Sequence, residues 1–580
     1  MNTDIQVKDF SQPSSYNGSS WANQAISKIK NIEQETVLQY SLLITITVVA
    51  LVLRFYKLGE WSFWIEEHHS YRHSTNVTLS IENLFNIRRP FYMLSKFTLD
   101  YLGWNEFNSR IIPAIVGTIT IPVIYWLTKK LFGVWVALLA ATLLAISPWH
   151  LYWSQNFRFY TLFLLTFNVA FFAFFWGLEK DDIRYFILSI VFIGAAALVQ
   201  GPVAVFLIPI LAMYILLLKL LPFGKPPGLR SKYLVLPIVL LFIGYVVYES
   251  YNILLKGNAS VISEVYYLFI NQSTASFVGY ANPYIMLTSV IYYIGTPLAF
   301  LALVGTIYLL KEKSRAGLFV AVGAFGLLFI FMVLTLFAST ANRYVFMSLP
   351  CWIILGSVAI KEMFVGTKSF TTKIVIAGVL FSLLILSLKD PVIEDIIYYS
   401  GKDSYFYMFV IAGGMICALA PILFIWLLRA PLQNKYFLAL VLSILSLTIL
   451  HPILSTIMYF NFQHGHRDNW KAVAAVVKES KVDDESLFTF TPQLSDYYIG
   501  GQAGEVTASN LETAINSDKS FWLIETEGID RQIIVGYGEW LVNHCETVGN
   551  WDQFTAGRDW RMRAHHCTPN QSNQTHIDTN

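Results

Sequence analysis

Long apolar runs alternate with short polar joints along most of this chain, and that alternation predicts its architecture. A membrane-crossing helix needs about 20 largely apolar residues. Runs of this kind centre near residues 46, 119, 141, 168, 193, 212, 241, 297, 327, 353, 381, 417 and 447, which predicts about 13 spans. The joints fall into two alternating sets. One is rich in cations: Lys129 and Lys130, Lys180 and Arg184, Lys225 with Arg230 and Lys232, Lys311 with Lys313 and Arg315, Lys361 with Lys368 and Lys373, and Arg429 with Lys435. The other carries Arg158, the uncharged Gln200-Gly201-Pro202, Lys256, Arg343, Lys389 and Lys402. Basic residues accumulate on the cytoplasmic side, so the first set is assigned there. The N-terminus is then cytoplasmic, and the loop 58–110 and the tail from Asn461 are outside. An odd number of spans demands the same arrangement, so two separate features agree.

Four regions follow. Residues 1–38 are polar, predict no cleavable signal peptide, and contain a stretch, 20–38, that predicts an amphipathic helix on the inner leaflet through Ile26, Ile29, Ile32 and Val37. Residues 39–460 form the transmembrane domain, with aromatic, polar exterior residues around 251–283. Residues 461–568 predict a small extracytoplasmic α/β domain: Trp470 to Lys478 is apolar at helical spacing, and 487–490 and 521–524 read as strands. Residues 569–580 read as disordered. The fold class is therefore a polytopic α-helical membrane protein with a small C-terminal extracytoplasmic α/β domain, placed in the plasma (inner) membrane.

Composition sharpens this picture. Charged residues make up 13% of the chain, about half the share of a soluble protein, and the net charge of +2 provides no field for nucleic acid. Membrane lipid is the expected surrounding partner. Cys351 and Cys417 sit in apolar spans and read as packing residues. Cys545 and Cys567 lie in the tail, where an oxidising side would permit a disulfide that spacing alone does not decide.

Candidate chemistry concentrates just after the first span, at Trp64-Ile65-Glu66-Glu67-His68-His69. Ionised groups beside hydrocarbon are costly, so a carboxylate pair there points to function. Adjacent side chains point in different directions; one can face a substrate as general base while the other takes an Arg. An interfacial ion-pair cluster with Arg54 or Arg72 is the alternative. His69 and His73, four residues apart, could share a metal with Glu67, giving a candidate site for a divalent ion (Mg, Mn or Zn). Arg88 and Arg89 precede Pro90 and suit a phosphate clamp. Arg158 and Arg343 are exterior cations at span ends, where charge statistics disfavour them, and a phosphate on a lipid tail explains their place. Phosphate-binding Gly-rich loops, His-Glu-x-x-His and the nucleophile elbow are all missing from the sequence.

The order of these segments resembles the GT-C membrane glycosyltransferases, specifically the glycosyltransferase family 39 and aminoarabinose-transferase-like group that includes the protein O-mannosyltransferases. That group leaves its first span through Arg and Leu-Gly into Trp-x-Asp-Glu; here stand Arg54, Leu58-Gly59 and Trp64-Ile65-Glu66-Glu67. A basic residue with Pro-Pro-Leu-Tyr-Tyr corresponds to Arg88-Arg89-Pro90-Phe91-Tyr92. Further matches are Glu106 to Arg110, Leu131-Phe132-Gly133, Ser154-Gln155-Asn156-Phe157-Arg158-Phe159-Tyr160, and Arg343-Tyr344 before Pro350. The match is densest over residues 50–165. It implies the GT-C fold and transfer of a sugar from a polyprenyl-phosphate donor to an acceptor hydroxyl (on protein, lipid or polysaccharide) at the extracytoplasmic face, with inversion. Glu66 takes the place of the usual Asp as base, and Glu67 orients the loop or binds the sugar. Arg88, Arg89, Arg343 and Arg158 hold phosphate, and the matched Arg54, Tyr92, Tyr160 and Tyr344 join the substrate-binding set. The sequence departs from the group in Glu for Asp at 66, a single Pro after Arg89, Asn156 for Glu, and the double His. The competing readings are an oligosaccharyltransferase-like enzyme or polymer ligase, and a lipid-linked sugar transporter. The tail lacks the Trp-Trp-Asp of oligosaccharyltransferases and is expected to cover the site, with Tyr497, Tyr498 and Trp540 as core.

Overall fold

The computed structural model describes residues 18–230, 282–365, 391–415 and 432–568, except 338, 339, 413, 518, 527–536, 556, 557 and 560, and also positions 239, 243, 246 and 250. The predicted spans near 241, 381 and 417, the exterior residues 251–281, Cys417 and the tail 569–580 lie outside the described residues.

The apolar pattern translates directly into helices. Six are long and apolar enough to cross a membrane, among the described residues: Glu35–Phe55, Glu106–Phe132, Tyr160–Lys180, Ile183–Gly201, Arg315–Leu334 and Phe346–Met363. They fall on the centres predicted near 46, 119, 168, 193, 327 and 353. Two further centres, 141 and 297, are bent pairs: Val134–Ala145 with Pro148–Ser154 at 59°, and Pro283–Ile294 with Thr296–Lys311 at 99°. Those near 212 and 447 are shorter apolar helices, Leu207–Leu220 and Leu445–Asn461. The described residues thus hold up to eight spans by length and composition. The first helix, α1, runs unbroken over Gly18–Phe55, so the stretch predicted as amphipathic continues into the first span.

In chain order the elements that build the site are α2 (Ile65–Asn76), α3 (Ile81–Leu84), α4 (Arg89–Leu102), α5 (Glu106–Phe132), α6 (Val134–Ala145), α7 (Pro148–Ser154), α8 (Tyr160–Lys180) and α9 (Ile183–Ala204). Their ends are chemically marked. Asn105 accepts the Asn108 amide to cap α5, and Ser147 accepts that of His150 ahead of Pro148 to cap α7. Gly133, at φ 86°, ends α5 and turns the chain directly into α6, a backbone conformation costly for other residues. The core between these helices is dense in Phe and Trp, including Phe163, Phe171, Phe172 and Phe319.

The tail folds as the expected α/β unit. A five-stranded sheet has the order β2 (Gly504–Glu505), β1 (Ser486–Thr489), β3 (Phe521–Thr526), β7 (Met562–Cys567), β4 (Cys545–Trp551), and β5 (Phe554–Thr555) pairs with β6 (Arg558–Asp559). β1 pairs in parallel with β2 and β3, while β7 runs antiparallel to β3 and β4. Residues 487–489 and 521–526 are strands, and Trp470–Ser480 is a helix. Cys545 and Cys567 are directly opposed on β4 and β7 and form a disulfide.

Candidate active site

Trp64 is extended (φ −93°, ψ 167°) and α2 begins at Ile65, so both carboxylates lie in its first turn. Free N–H groups and the helix dipole favour anions there. Successive helical residues project roughly 100° apart, and Glu66 and Glu67 enter different surroundings.

Glu67 is fully buried. Arg110 of α5 grips it as a fork, Nε to Oε1 and Nη2 to Oε2, both at 2.8 Å. Arg467, from the tail, donates Nε to Oε2 at 2.9 Å, and the Phe157 amide donates to Oε1 at 2.7 Å. The two guanidinium groups also donate to the carbonyls of Leu58, Trp61, Ser62, Gly465 and Gln155, and Arg467 Nη1 to the Tyr459 hydroxyl. Burial pushes the Glu67 carboxyl up, but the two guanidinium charges and the hydrogen bonds outweigh it and bring it down to about 2. Glu67 therefore ties the loop to α5 and to the tail, each of its oxygens accepting two hydrogen bonds.

Glu66 is partly open, its side chain 19% exposed. Arg343 Nη1 donates to Oε1 at 2.5 Å, and Arg158 Nη2 lies 3.4 Å from Oε2. Arg158 Nη1 is held by the Glu66 carbonyl and Ser70 Oγ, each at 3.0 Å. Glu66 Oε2, Arg158 Nε and Arg343 Nε are buried and make no hydrogen bond among the described residues. Burial raises the Glu66 carboxyl, yet Arg343, Arg158 and then Arg88 more than offset it, leaving its pKa below the ordinary value. Burial pulls Arg158 and Arg343 down, but neighbouring Glu66 and tyrosines hold both above theirs.

The structure gathers most of the sequence-predicted set around Glu66. Arg88 and Arg158 flank the Phe159 ring, at 5.4 and 4.9 Å. Arg88 takes a left-handed backbone (φ 66°) ahead of α4 and donates Nε to Gln200 Oε1 at 3.1 Å. Gln200 sits at a break in α9, so the kink serves to hold Arg88. Tyr160 and Tyr92 are buried and act electrostatically on Arg158, and the Tyr344 ring lies 5.5 Å from the Arg343 guanidinium. Arg89 acts on His73. Arg54 stands apart: it is buried in α1, bonded to the carbonyls of Ala50 and Ala145 and to His150 Nδ1 at 2.7 Å, so it ties α1 to α6 and α7 instead of meeting a phosphate.

Glu67, His69 and His73 do not converge. Among the described residues no three His, Cys, Asp or Glu side chains are placed to hold a metal. Glu67 is saturated by its four donors, and His73 stacks on Tyr92 with ring centroids 5.1 Å apart. The donor set expected for a divalent metal thus does not fit one.

Arg110 and Arg467 are what the sequence reading missed. Arg110 had a visible signal, since it closes the Glu106–Arg110 segment matched to the family pattern. Arg467 had none, because 400 residues separate it from its partner. The tail also grips the loop elsewhere. Lys471 Nζ donates to the Gly59 carbonyl at 2.7 Å, and the Tyr498 hydroxyl accepts the Phe63 amide at 2.5 Å and donates to Glu106 Oε1 at 3.1 Å. Tyr497 packs on Phe63, His68 and Tyr71. Trp540 stacks on Phe521 inside the tail.

An apolar helical bundle carrying a small C-terminal sheet is a GT-C-like fold, and this chain is an integral membrane protein. The model of the dolichyl-phosphate-mannose-protein mannosyltransferase family matches residues 90–248, which bears out the resemblance. The chain is similar in structure to ArnT from Cupriavidus metallidurans in the apo state, with a TM-score of 0.54, 13% identity, and coverage of 91% of this chain and 98% of that one. It is similar to the same protein bound to undecaprenyl phosphate, with a TM-score of 0.53, 14% identity, and coverage of 90% and 97%. No curated protein matches the sequence.

Proposed function

We propose that the protein transfers a sugar from a polyprenyl-phosphate donor to an acceptor hydroxyl at the extracytoplasmic face, with inversion. The observation that carries this reading is the Glu66 site: a carboxylate held by Arg343 and Arg158, where Glu66 Oε2 and both arginines' Nε make no hydrogen bond among the described residues. The family match over residues 90–248 and the ArnT-like fold support the class. ArnT bound to undecaprenyl phosphate supports a polyprenyl-phosphate carrier for this chain also.

In this mechanism the donor phosphate enters between Arg158, Arg343 and Arg88. A phosphate offers these guanidinium groups stronger, bidentate partners than one carboxylate can. As they turn to it, Glu66 loses the charges that depress its proton affinity and becomes a better base. The acceptor O–H gives its proton to Glu66, and its oxygen attacks the anomeric carbon from the face opposite the phosphate. The carbon–oxygen bond to phosphate breaks, the electron pair leaves with the phosphate oxygen, and the arginines take up its charge. Glu67 fixes α2 throughout without meeting substrate.

The test is Glu66→Gln, assayed by release of polyprenyl phosphate from a polyprenyl-phosphate sugar. General-base loss lowers turnover about 10²–10⁴-fold. Unchanged turnover removes Glu66 as the base. Retained anomeric configuration in the product removes the single-displacement route.

A further inference from the structure

The end of the bundle opposite the active site carries a second charged cleft. α8 begins at Tyr160 beside Glu66 and ends at Lys180. At 1.5 Å per residue this helix spans about 30 Å, the thickness of the bilayer's hydrocarbon. α5 runs the same way, from Arg110 near the site to Lys129 and Lys130. At this far end lies a half-open cleft of about 530 Å³, with Lys130, Lys180, Lys313 and Arg315 on its rim.

The cleft's charges do not cancel. Among the described residues Glu179 is the only carboxylate in its lining, and Arg315 occupies it as a fork, Nε to Oε1 at 2.7 Å and Nη2 to Oε2 at 2.6 Å. That pair ties α8 to the helix starting at Arg315. The ammonium groups of Lys130, Lys180 and Lys313 then remain without a carboxylate partner among the described residues, Lys180 Nζ donating to the Tyr185 hydroxyl at 3.2 Å. Asp181, Asp182 and Glu312 belong to the same joints but do not line the cleft, and Asp182 is engaged in accepting the Arg184 amide. The inner wall is apolar, made by Phe175, Trp176 and Phe223. Lys130 Nζ lies 4.8 Å from the Trp176 ring centroid. The segment after Pro222, which brings Phe223 to the cleft, rests directly on α8: a Cβ at Gly228 would meet the Gly177 carbonyl and the Leu178 backbone at 2.7 Å.

We propose that this cleft binds the phosphate-bearing head group of an anionic phospholipid from the leaflet opposite the active site. The three lysine ammonium groups lining one cleft match a phosphate, and the aromatic residues lining it with them match the glycerol and upper acyl chain that follow it in a lipid. A free phosphate would leave that wall unused. The position, one hydrocarbon thickness from Glu66, is the depth at which head groups lie.

Native mass spectrometry of the full chain in detergent tests this, with phosphatidylglycerol as probe, phosphatidylcholine as comparator and water-soluble glycerol phosphate as competitor. Phosphatidylglycerol is expected to bind saturably and in preference to phosphatidylcholine, with glycerol phosphate competing weakly. Each Lys→Gln change at 130, 180 and 313 should weaken binding about fivefold, and the triple variant about 100-fold. The triple Lys→Arg variant, which keeps the charges, should retain it. Equal binding of phosphatidylcholine, or unchanged binding in the triple Gln variant, overturns the proposal. Full displacement by glycerol phosphate overturns the lipid and leaves a site for soluble phosphate.

Discussion

The two faces of α2 hold chemically identical side chains one residue apart and treat them in opposite ways. On the inner face, Glu67 is sealed from solvent and accepts four hydrogen bonds from Arg110, Arg467 and the Phe157 amide. On the outer face, Glu66 is partly open and faces Arg343 and Arg158, each of whose Nε makes no hydrogen bond among the described residues. A saturated buried carboxylate is architecture, because moving its proton or partners breaks the packing around it. A carboxylate whose cations still have hydrogen bonds to give is ready for a third party. The contrast also explains the tail: through Arg467, Lys471 and Tyr498 it stabilises the inner face and leaves the outer face free.

Exchanging the two residues' fates is the most direct way to break this comparison. Glu66→Gln should lose about 10²–10⁴-fold in turnover while its thermal unfolding midpoint stays close to wild type. Glu67→Gln should do the reverse in kind. It leaves Arg110 and Arg467 buried against a neutral partner, which costs about 3–5 kcal/mol of stability, read as a lower midpoint in detergent. If Glu67→Gln is as stable as wild type, the division between the faces is wrong. Arg343→Lys keeps the charge but loses the fork. It should weaken donor binding about tenfold, seen mainly in KM, with the fold unaffected.

A smaller effect lies in pH. The Glu67 carboxyl is depressed from 4.5 to about 2 in the folded protein, so the unfolded chain binds its proton first as acid is added. Its contribution is complete above pH 4.5 and is lost as the pH falls toward 2. The stability of the wild type should therefore fall across that window with a slope of at most about 1.4 kcal/mol per pH unit from this group. Glu67→Gln should show a correspondingly shallower acid limb.

The sequence could be read this far for identifiable reasons. Burial in lipid demands runs of about 20 apolar residues, so the helices near 46, 119, 168, 193, 327 and 353 were visible without any tertiary knowledge. The helices around 141 and 297 were equally visible as apolar, but their bends were not, since an apolar count does not register a change of direction. Local order also carried the carboxylate pair and Arg88, Arg158 and Arg343, because each sits where charge is costly. The same reasoning misplaced Arg54. A cation at the end of a span reads alike whether it faces a ligand or, as here, the carbonyls of Ala50 and Ala145. It also grouped Glu67, His69 and His73 by spacing, although Glu67 turns inward to two arginines.

What the chain determined by itself is what nearest-neighbour chemistry and solvent preference can decide: a helical membrane body, a small α/β tail, and an acidic loop at one end with arginines to match. Which carboxylate serves as anchor was decided only by the tertiary structure. Arg110 lies 43 positions and Arg467 400 positions from Glu67, and the ion pairs they form depend on helix directions and a tail placement that no local pattern encodes. Burial and partner geometry set the role of a charged group, and both arise when distant segments meet.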